Sequence, residues 1–277
     1  MKQRLIRRTL FAIAALMMAP NPIPPAQAHG SGAPHNYGHS LLGQLTLGVG
    51  RSGTPFAYRR DGKPVGFEID LARAVAAEME VELTVRWLPR DKLMPALEAG
   101  EVDLINIGAL SGPPSADLDS VPYLITGEHV LVRRDNPFAI ARAEDLGGTM
   151  VVATMHTAGE AFAHALAARI EGTGRAPMEV HTAPLSQYTA LPVRFSHASA
   201  YFASTAAAAM QTSAPGAMIK VVPGLFQPGK PLGFGFLAAD YELKRDLRLA
   251  LAQVVTKGVY GDLLAAYAIP ADVSPFK

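Results

Sequence analysis

Cysteine is missing from all 277 residues. That absence excludes a disulfide framework, thiolate catalysis and any cysteine-built metal site. An excess of charge is missing too, with 25 Lys and Arg against 24 Asp and Glu. A chain so balanced has no electrostatic case for nucleic acid or an anionic membrane as its main partner. Beyond the N-terminus no apolar run reaches the length that spans a bilayer. The fold must therefore be held by its core, and a chain of about 250 residues can bury roughly 75% of its unfolded surface without staples.

The N-terminus reads as an address rather than as fold. Lys2, Arg4, Arg7 and Arg8 form a positive start, the apolar stretch 10–18 follows, and Ala26-Gln27-Ala28 gives a small-x-small site. This is the pattern of a cleavable export signal over residues 1–28, with Pro20, Pro22, Pro24 and Pro25 ending any helix. Arg7-Arg8-Thr9-Leu10-Phe11 leaves a twin-arginine route open beside ordinary export. Four of the 25 basic residues and none of the 24 acidic ones lie in this segment, so the remainder carries a net charge of −3. Residues 29–43 read as a flexible Gly- and His-rich leader. His29, His35 and His39 lie within it, but a histidine tract without fixed geometry selects metals poorly, and no metal site is assigned.

From residue 44 the pattern alternates between strands and helices. Residues 44–49 predict a strand. Residues 70–79 predict a helix, with Leu71, Ala74, Val75, Glu78 and Met79 at helical spacing. Residues 81–87 predict a strand, 92–99 a helix stopped by Gly100, and 102–107 a near-continuous apolar strand of the buried parallel kind. Such alternation implies a parallel sheet with helices on both faces. Residues 123–133 predict a long strand leaving this lobe. A second unit follows, with strands at 150–153, 179–182, 199–202 and 219–222 and a helix at 158–170. The stretch 232–238 crosses back, and helices at 242–257 and 260–267 close the chain. The expectation is an α/β protein of two lobes. Residues 44–132 and 233–277 form lobe 1, residues 133–232 form lobe 2, and the two crossing strands make a hinge beside a ligand cleft.

A longer pattern is carried by Gly66-Phe67-Glu68-Ile69-Asp70-Leu71 and the following Ala72-Arg73-Ala74-Val75. With it stand Pro55-Phe56, Leu93-Met94-Pro95-Ala96-Leu97-Glu98-Ala99-Gly100-Glu101-Val102-Asp103-Leu104-Ile105, Pro122-Tyr123, Asp145-Leu146-Gly147-Gly148 and the helix 247–258. In this order and spacing they resemble the family 3 extracellular solute-binding proteins, the polar amino-acid receptor group, over residues 44–270. The resemblance implies a type II periplasmic-binding-protein-like fold with two parallel-sheet lobes. It also implies periplasmic location, no catalysis, no cofactor, a small-molecule ligand, and partnership with the permease and ATPase of an ABC importer. The mature protein is expected to be a monomer. Gly66 permits a tight entry into a strand. Glu68 and Asp70, near a helix start, either complement the helix dipole or face a permease.

The resemblance further implies a zwitterion clamp, an Arg from one lobe and an Asp from the other. The Arg position, counted from Gly108, is Ser115, and the Asp position is Ser204. Both charges are absent. Arg90 stands where an aromatic often covers the ligand, and Gly53 stands where another aromatic precedes Thr54-Pro55-Phe56. His156 occupies the place of a Gly before Thr157, and Thr157 opens a helix whose free N–H groups favour anions. The candidate ligand-binding residues are Arg51, Tyr58, Arg90, Gly108, Ser115, His156, Thr157 and Ser204. Four of them have a plainer reading: solvated arginines at 51 and 90, a hydrogen-bonded structural His156, a Tyr58 that packs on the cleft rather than lining it. His197 and Tyr201 read as core or surface. The expected function is capture of a small polar molecule, anionic or amino-acid-like, for an ABC importer. Two alternatives stay open. One is a periplasmic accessory protein that transports nothing and docks on a redox enzyme or sensor. The other is a cyclohexadienyl-dehydratase-like enzyme, which needs a general acid or base, with only His156, Glu160 and Asp117 to offer.

Overall fold

The computed structural model describes residues 43–109, 116–184 and 189–276. The export signal, the leader up to residue 42 and the candidate Ser115 lie outside the described residues.

Strand β1 (Gln44–Val49) is followed by the hairpin β2 (Tyr58–Arg60) and β3 (Lys63–Val65), which leads into helix α1 (Phe67–Glu78). Gly66 sits at φ +127°, and a Cβ there would overlap the Phe56 carbonyl, so the turn admits only glycine. The helix starts earlier than its apolar spacing suggests, so what Gly66 opens into is a helix and not the expected strand. Its first N–H groups, on Phe67 and Glu68, donate to the carbonyls of Pro55 and Phe56, so the preceding loop serves as the cap. Strand β4 (Glu82–Trp87), helix α2 (Leu93–Glu98) and strand β5 (Leu104–Asn106) complete the first unit. The long strand β6 (Leu118–Arg133) leaves it.

The second unit contains β7 (Met150–Thr154), α3 (Ala158–Glu171), β8 (Glu179–Ala183), the short α4 (Leu191–Arg194), β9 (Ala200–Ser204) and α5 (Thr205–Thr212). Strand β10 (Ile219–Leu237) returns, and α6 (Tyr241–Thr256) and α7 (Val259–Ala266) end the chain.

The sheet runs β4-β1-β5-β10-β6-β9-β7-β8. Strand β1 pairs in parallel with β4 and β5, and β7 pairs in parallel with β8 and β9. Between these parallel triplets run β10 and β6, antiparallel to each other and to the triplet strand each one touches. Each triplet has its own core. One is built on Leu45, Leu47, Phe67, Ile69, Leu247 and Leu251. The other is built on Val130, Val151, Leu166, Ile170 and Phe202.

The stretches expected as separate strands at 219–222 and 232–238 are one strand of 19 residues. Between them Pro223, Gly224, Pro228, Gly229 and Pro231 read as a break, because proline supplies no ladder N–H. Pairing with β6 carries the strand through, with register shifts between Val221 and Phe226, Pro228 and Pro231, and Leu232 and Gly233.

Candidate functional site

Six of the eight candidate residues lie at the carboxyl ends of the parallel strands. Arg51 lies just past β1, Arg90 past β4, Gly108 past β5, and His156 and Thr157 past β7, while Ser204 ends β9. In open α/β sheets this edge is where ligands bind.

On the side of β1, β4 and β5, Arg90 Nη2 donates to the Arg51 carbonyl at 3.0 Å, and both side chains are exposed. Beneath them lies a closed polar network. Asn106 holds Gly50 from both directions, accepting from its N–H at 2.8 Å and donating to its carbonyl at 2.9 Å. Asn106 Nδ2 and Ser52 Oγ also donate to Glu68 Oε2 at 2.9 and 2.8 Å, and Tyr123 OH donates to Glu68 Oε1 at 2.8 Å. Burial pushes the Glu68 carboxyl up, and the three donors pull against that shift. Burial and the neighbouring Glu68 charge push the Tyr123 phenol well up. Glu68 is 0% exposed, so it neither faces a permease nor serves the helix dipole from the surface. Its work is to tie the β1 loop, β5 and β6 together. Asp70 pairs with Arg73 and accepts from Tyr267 OH.

Gly108 marks a close approach, because a Cβ there would come within 2.5 Å of Leu232 Cδ2 on the returning strand. Tyr58 is engaged elsewhere. Its hydroxyl accepts from Arg60 Nη2 at 3.0 Å, and among the described residues no hydrogen bond joins it to Arg51 or Arg90.

On the side of β7, β8 and β9, Thr157 caps α3. Its Oγ1 accepts from Glu160 N–H at 3.3 Å and donates to the Thr154 carbonyl at 2.5 Å. His156 takes a left-handed backbone, φ +60°, and its N–H donates to Glu160 Oε2 at 2.6 Å, leaving the ring exposed. Ser204 caps α5 by accepting from Ala207 N–H at 3.3 Å. Thus Thr157 and Ser204 both stand at helix starts, where first-turn N–H groups lack intrahelical acceptors. Tyr201 is buried, with its OH 3.0 Å from Thr154 Oγ1, and His197 is exposed.

One residue of this edge escaped sequence reasoning. Glu128 of β6 lies directly opposite Ser204 of β9 in the antiparallel ladder. Its carboxylate rests against the first turn of α3, where a Cβ on Gly159 would meet Glu128 Oε2 at 2.8 Å and the Phe202 carbonyl at 3.1 Å. Burial alone pushes this carboxyl up to about 7. The available signal was an acid between Gly127 and the apolar run that follows His129, a poor place for a charge without a purpose. Among the described residues no group of three or more His, Asp or Glu is arranged to hold a metal ion. Among them, too, no helix is long and apolar enough to cross a membrane.

Residues 45–269 match the family model for bacterial extracellular solute-binding proteins, family 3. The L-cystine-binding protein TcyJ of Escherichia coli strain K12 is 35% identical over 111 residues, which cover 38% of this chain and 42% of that protein's length. The arginine-binding protein ArgT of Corynebacterium glutamicum is 23% identical over 254 residues, covering 91% of this chain and 81% of that protein. Among solved structures, a polar amino acid ABC uptake transporter substrate binding protein from Streptococcus thermophilus superposes with a TM-score of 0.70 at 17% identity, covering 85% of this chain and 89% of that one. That likeness is one of fold: two lobes of the type II periplasmic-binding kind.

Proposed function

We propose that this chain, which belongs to the bacterial extracellular solute-binding proteins, family 3, captures a small polar solute in the periplasm and hands it to the permease and ATPase of an ABC importer. The observation that carries the reading is the placement of the candidate groups. Arg51, Arg90 and Gly108 follow the strands of one parallel triplet, His156, Thr157 and Ser204 follow or end those of the other, and β6 and β10 cross between. Two bodies joined by a pair of strands can hinge about them and close on a solute held between. We place lobe 1 at 44–132 and 233–277 and lobe 2 at 133–232, with residues 1–28 as the export signal.

The solute is anionic or amino-acid-like. Guanidinium groups at Arg51 and Arg90 suit a carboxylate, and so does the helix start at Thr157. Relatives that bind L-cystine and arginine make amino acids the first compounds to test.

Thermal unfolding of the purified protein against amino acids, dicarboxylates, aromatic acids, sulfonates and polyamines tests this. A bound compound at one hundred times its dissociation constant adds about 2.7 kcal/mol of stability. A shift with one class, weakened by Arg90→Ala or His156→Ala, supports the receptor. No shift with any compound turns the reading to an accessory protein that docks on a redox enzyme or sensor. Chemical conversion of a bound compound turns it to an enzyme of the cyclohexadienyl dehydratase kind.

A further inference from the structure

Two carboxylates near the strand ends are drawn from water, Glu68 fully and Glu128 by about half, and they differ in what replaced it. Glu68 receives donors from Asn106, Ser52 and Tyr123. Glu128 receives none: among the described residues nothing donates to its carboxylate and no cation pairs with it. A carboxylate half removed from water and given no donors is less favourable than one left in solvent. The surroundings nevertheless make room for it, because position 159 is a glycine whose Cβ would collide with Glu128 Oε2.

The neighbouring elements explain the missing partner. From β9 comes Tyr201, whose phenol already bonds Thr154 and is pushed up by burial and, secondarily, by the Glu128 charge. From α3 comes Glu160, an acid occupied with the His156 N–H. Strand β10 places Gln227 opposite Glu128. His129, next on β6, is engaged elsewhere, with Nε2 on Thr205 Oγ1 and Nδ1 3.6 Å from Asp272. None of these supplies a positive charge to the carboxylate.

We infer that Glu128 is the group that receives the cationic part of the solute, an ammonium or guanidinium, at the edge between the first turn of α3 and Ser204. The assignment rests on reading the cleft as a solute-binding site. It gives an amino-acid-like solute two ends to be read: the anionic end by the arginines and the α3 start, the cationic end by Glu128. It also couples binding to a proton. In the empty cleft burial holds the carboxyl partly protonated near neutral pH, and a bound cation favours the ionised form. Loading a cation in mildly acid solution therefore expels a proton from Glu128.

Calorimetric titration of the protein and of Glu128→Gln with L-arginine, L-histidine, L-cystine and succinate tests this, at pH 6 in two buffers of different ionisation heat and again at pH 8. The expected result is binding of at least one of the amino acids, about 10- to 100-fold weaker in Glu128→Gln at pH 8, the loss of one charge-assisted contact. At pH 6 the unsubstituted protein alone shows proton release, seen as a heat that depends on the buffer. Unfolding curves of both proteins verify that the variant folds. If an amino acid binds both proteins within threefold, or if only succinate binds, the receptor stands and the role of Glu128 is wrong. If none of the four binds the unsubstituted protein, the receptor reading for these solutes fails, and this assignment fails with it.

Discussion

The two halves of the sheet are built alike and finished differently. Each is a parallel triplet flanked by an antiparallel crossing strand, and each brings an acid to its carboxyl edge. In the half containing β1 the acid is Glu68, fully buried and bonded to three side chains. In the half containing β7 it is Glu128, half-buried and without a donor among the described residues. Burial raises both carboxyls. A completed network fixes a loop, whereas an incomplete one waits for something to complete it. The same chemistry is thus structural on one side and receptive on the other.

The largest expected effect lies on the structural side. Glu68→Ala leaves the buried Tyr123 OH without its acceptor and takes one partner each from Asn106 and Ser52, and an unsatisfied buried group costs ~1–3 kcal/mol on top of the lost contacts. We expect a loss of about 3 kcal/mol or more in urea unfolding. A loss under about 1 kcal/mol would mean that water completes the network and that the contrast between the halves is false.

Next comes Gly159→Ala, which drives a methyl toward Glu128 Oε2 and the Phe202 carbonyl. Overpacking of this kind costs about 1–3 kcal/mol. Combining it with Glu128→Ala should recover part of that loss, and strict additivity of the two substitutions would show that the residues do not share the space.

A smaller effect separates the acids by pH. The folded-state value of Glu128, about 7, lies above the ordinary 4.5, so this group favours the fold fully below pH 4.5 and loses that advantage as pH rises through 7. Melting temperatures of the unsubstituted protein should therefore fall relative to Glu128→Gln between pH 5 and pH 8. A constant difference would place the carboxyl in water. The smallest effect is that of Arg90→Ala. Its exposed contact with the Arg51 carbonyl should leave stability within about 0.5 kcal/mol, so any larger loss would make the arginine part of the scaffold.

Much of the architecture was legible in residue order. The strand at 44–49 and the helix stop at Gly100 follow from periodicity and breakers, which act locally. The single strand β10 was not legible, because its prolines and glycines argue for a break that only the partner β6 overrides. Helix α5 was hidden in the small-residue run 205–212, which has no clear apolar stripe, and nothing in that run marks Ser204 as its cap. The candidate site was half legible. Arg51 and Arg90 meet, and Thr157 and Ser204 stand at helix starts. Tyr58 turns to Arg60 instead, and no spacing along the chain announces a contact between Glu128 and Gly159.

By itself the sequence determined the family, the alternation of strand and helix, the turn at Gly66 and the absence of charge at Ser204, because each is a property of residue type and local order. The tertiary structure decided which acids matter. Glu68 and Glu128 are sixty residues apart in sequence. What distinguishes them is the set of donors that strand pairing and helix packing bring to each, and a side chain's solvation and partners are fixed only when distant segments meet.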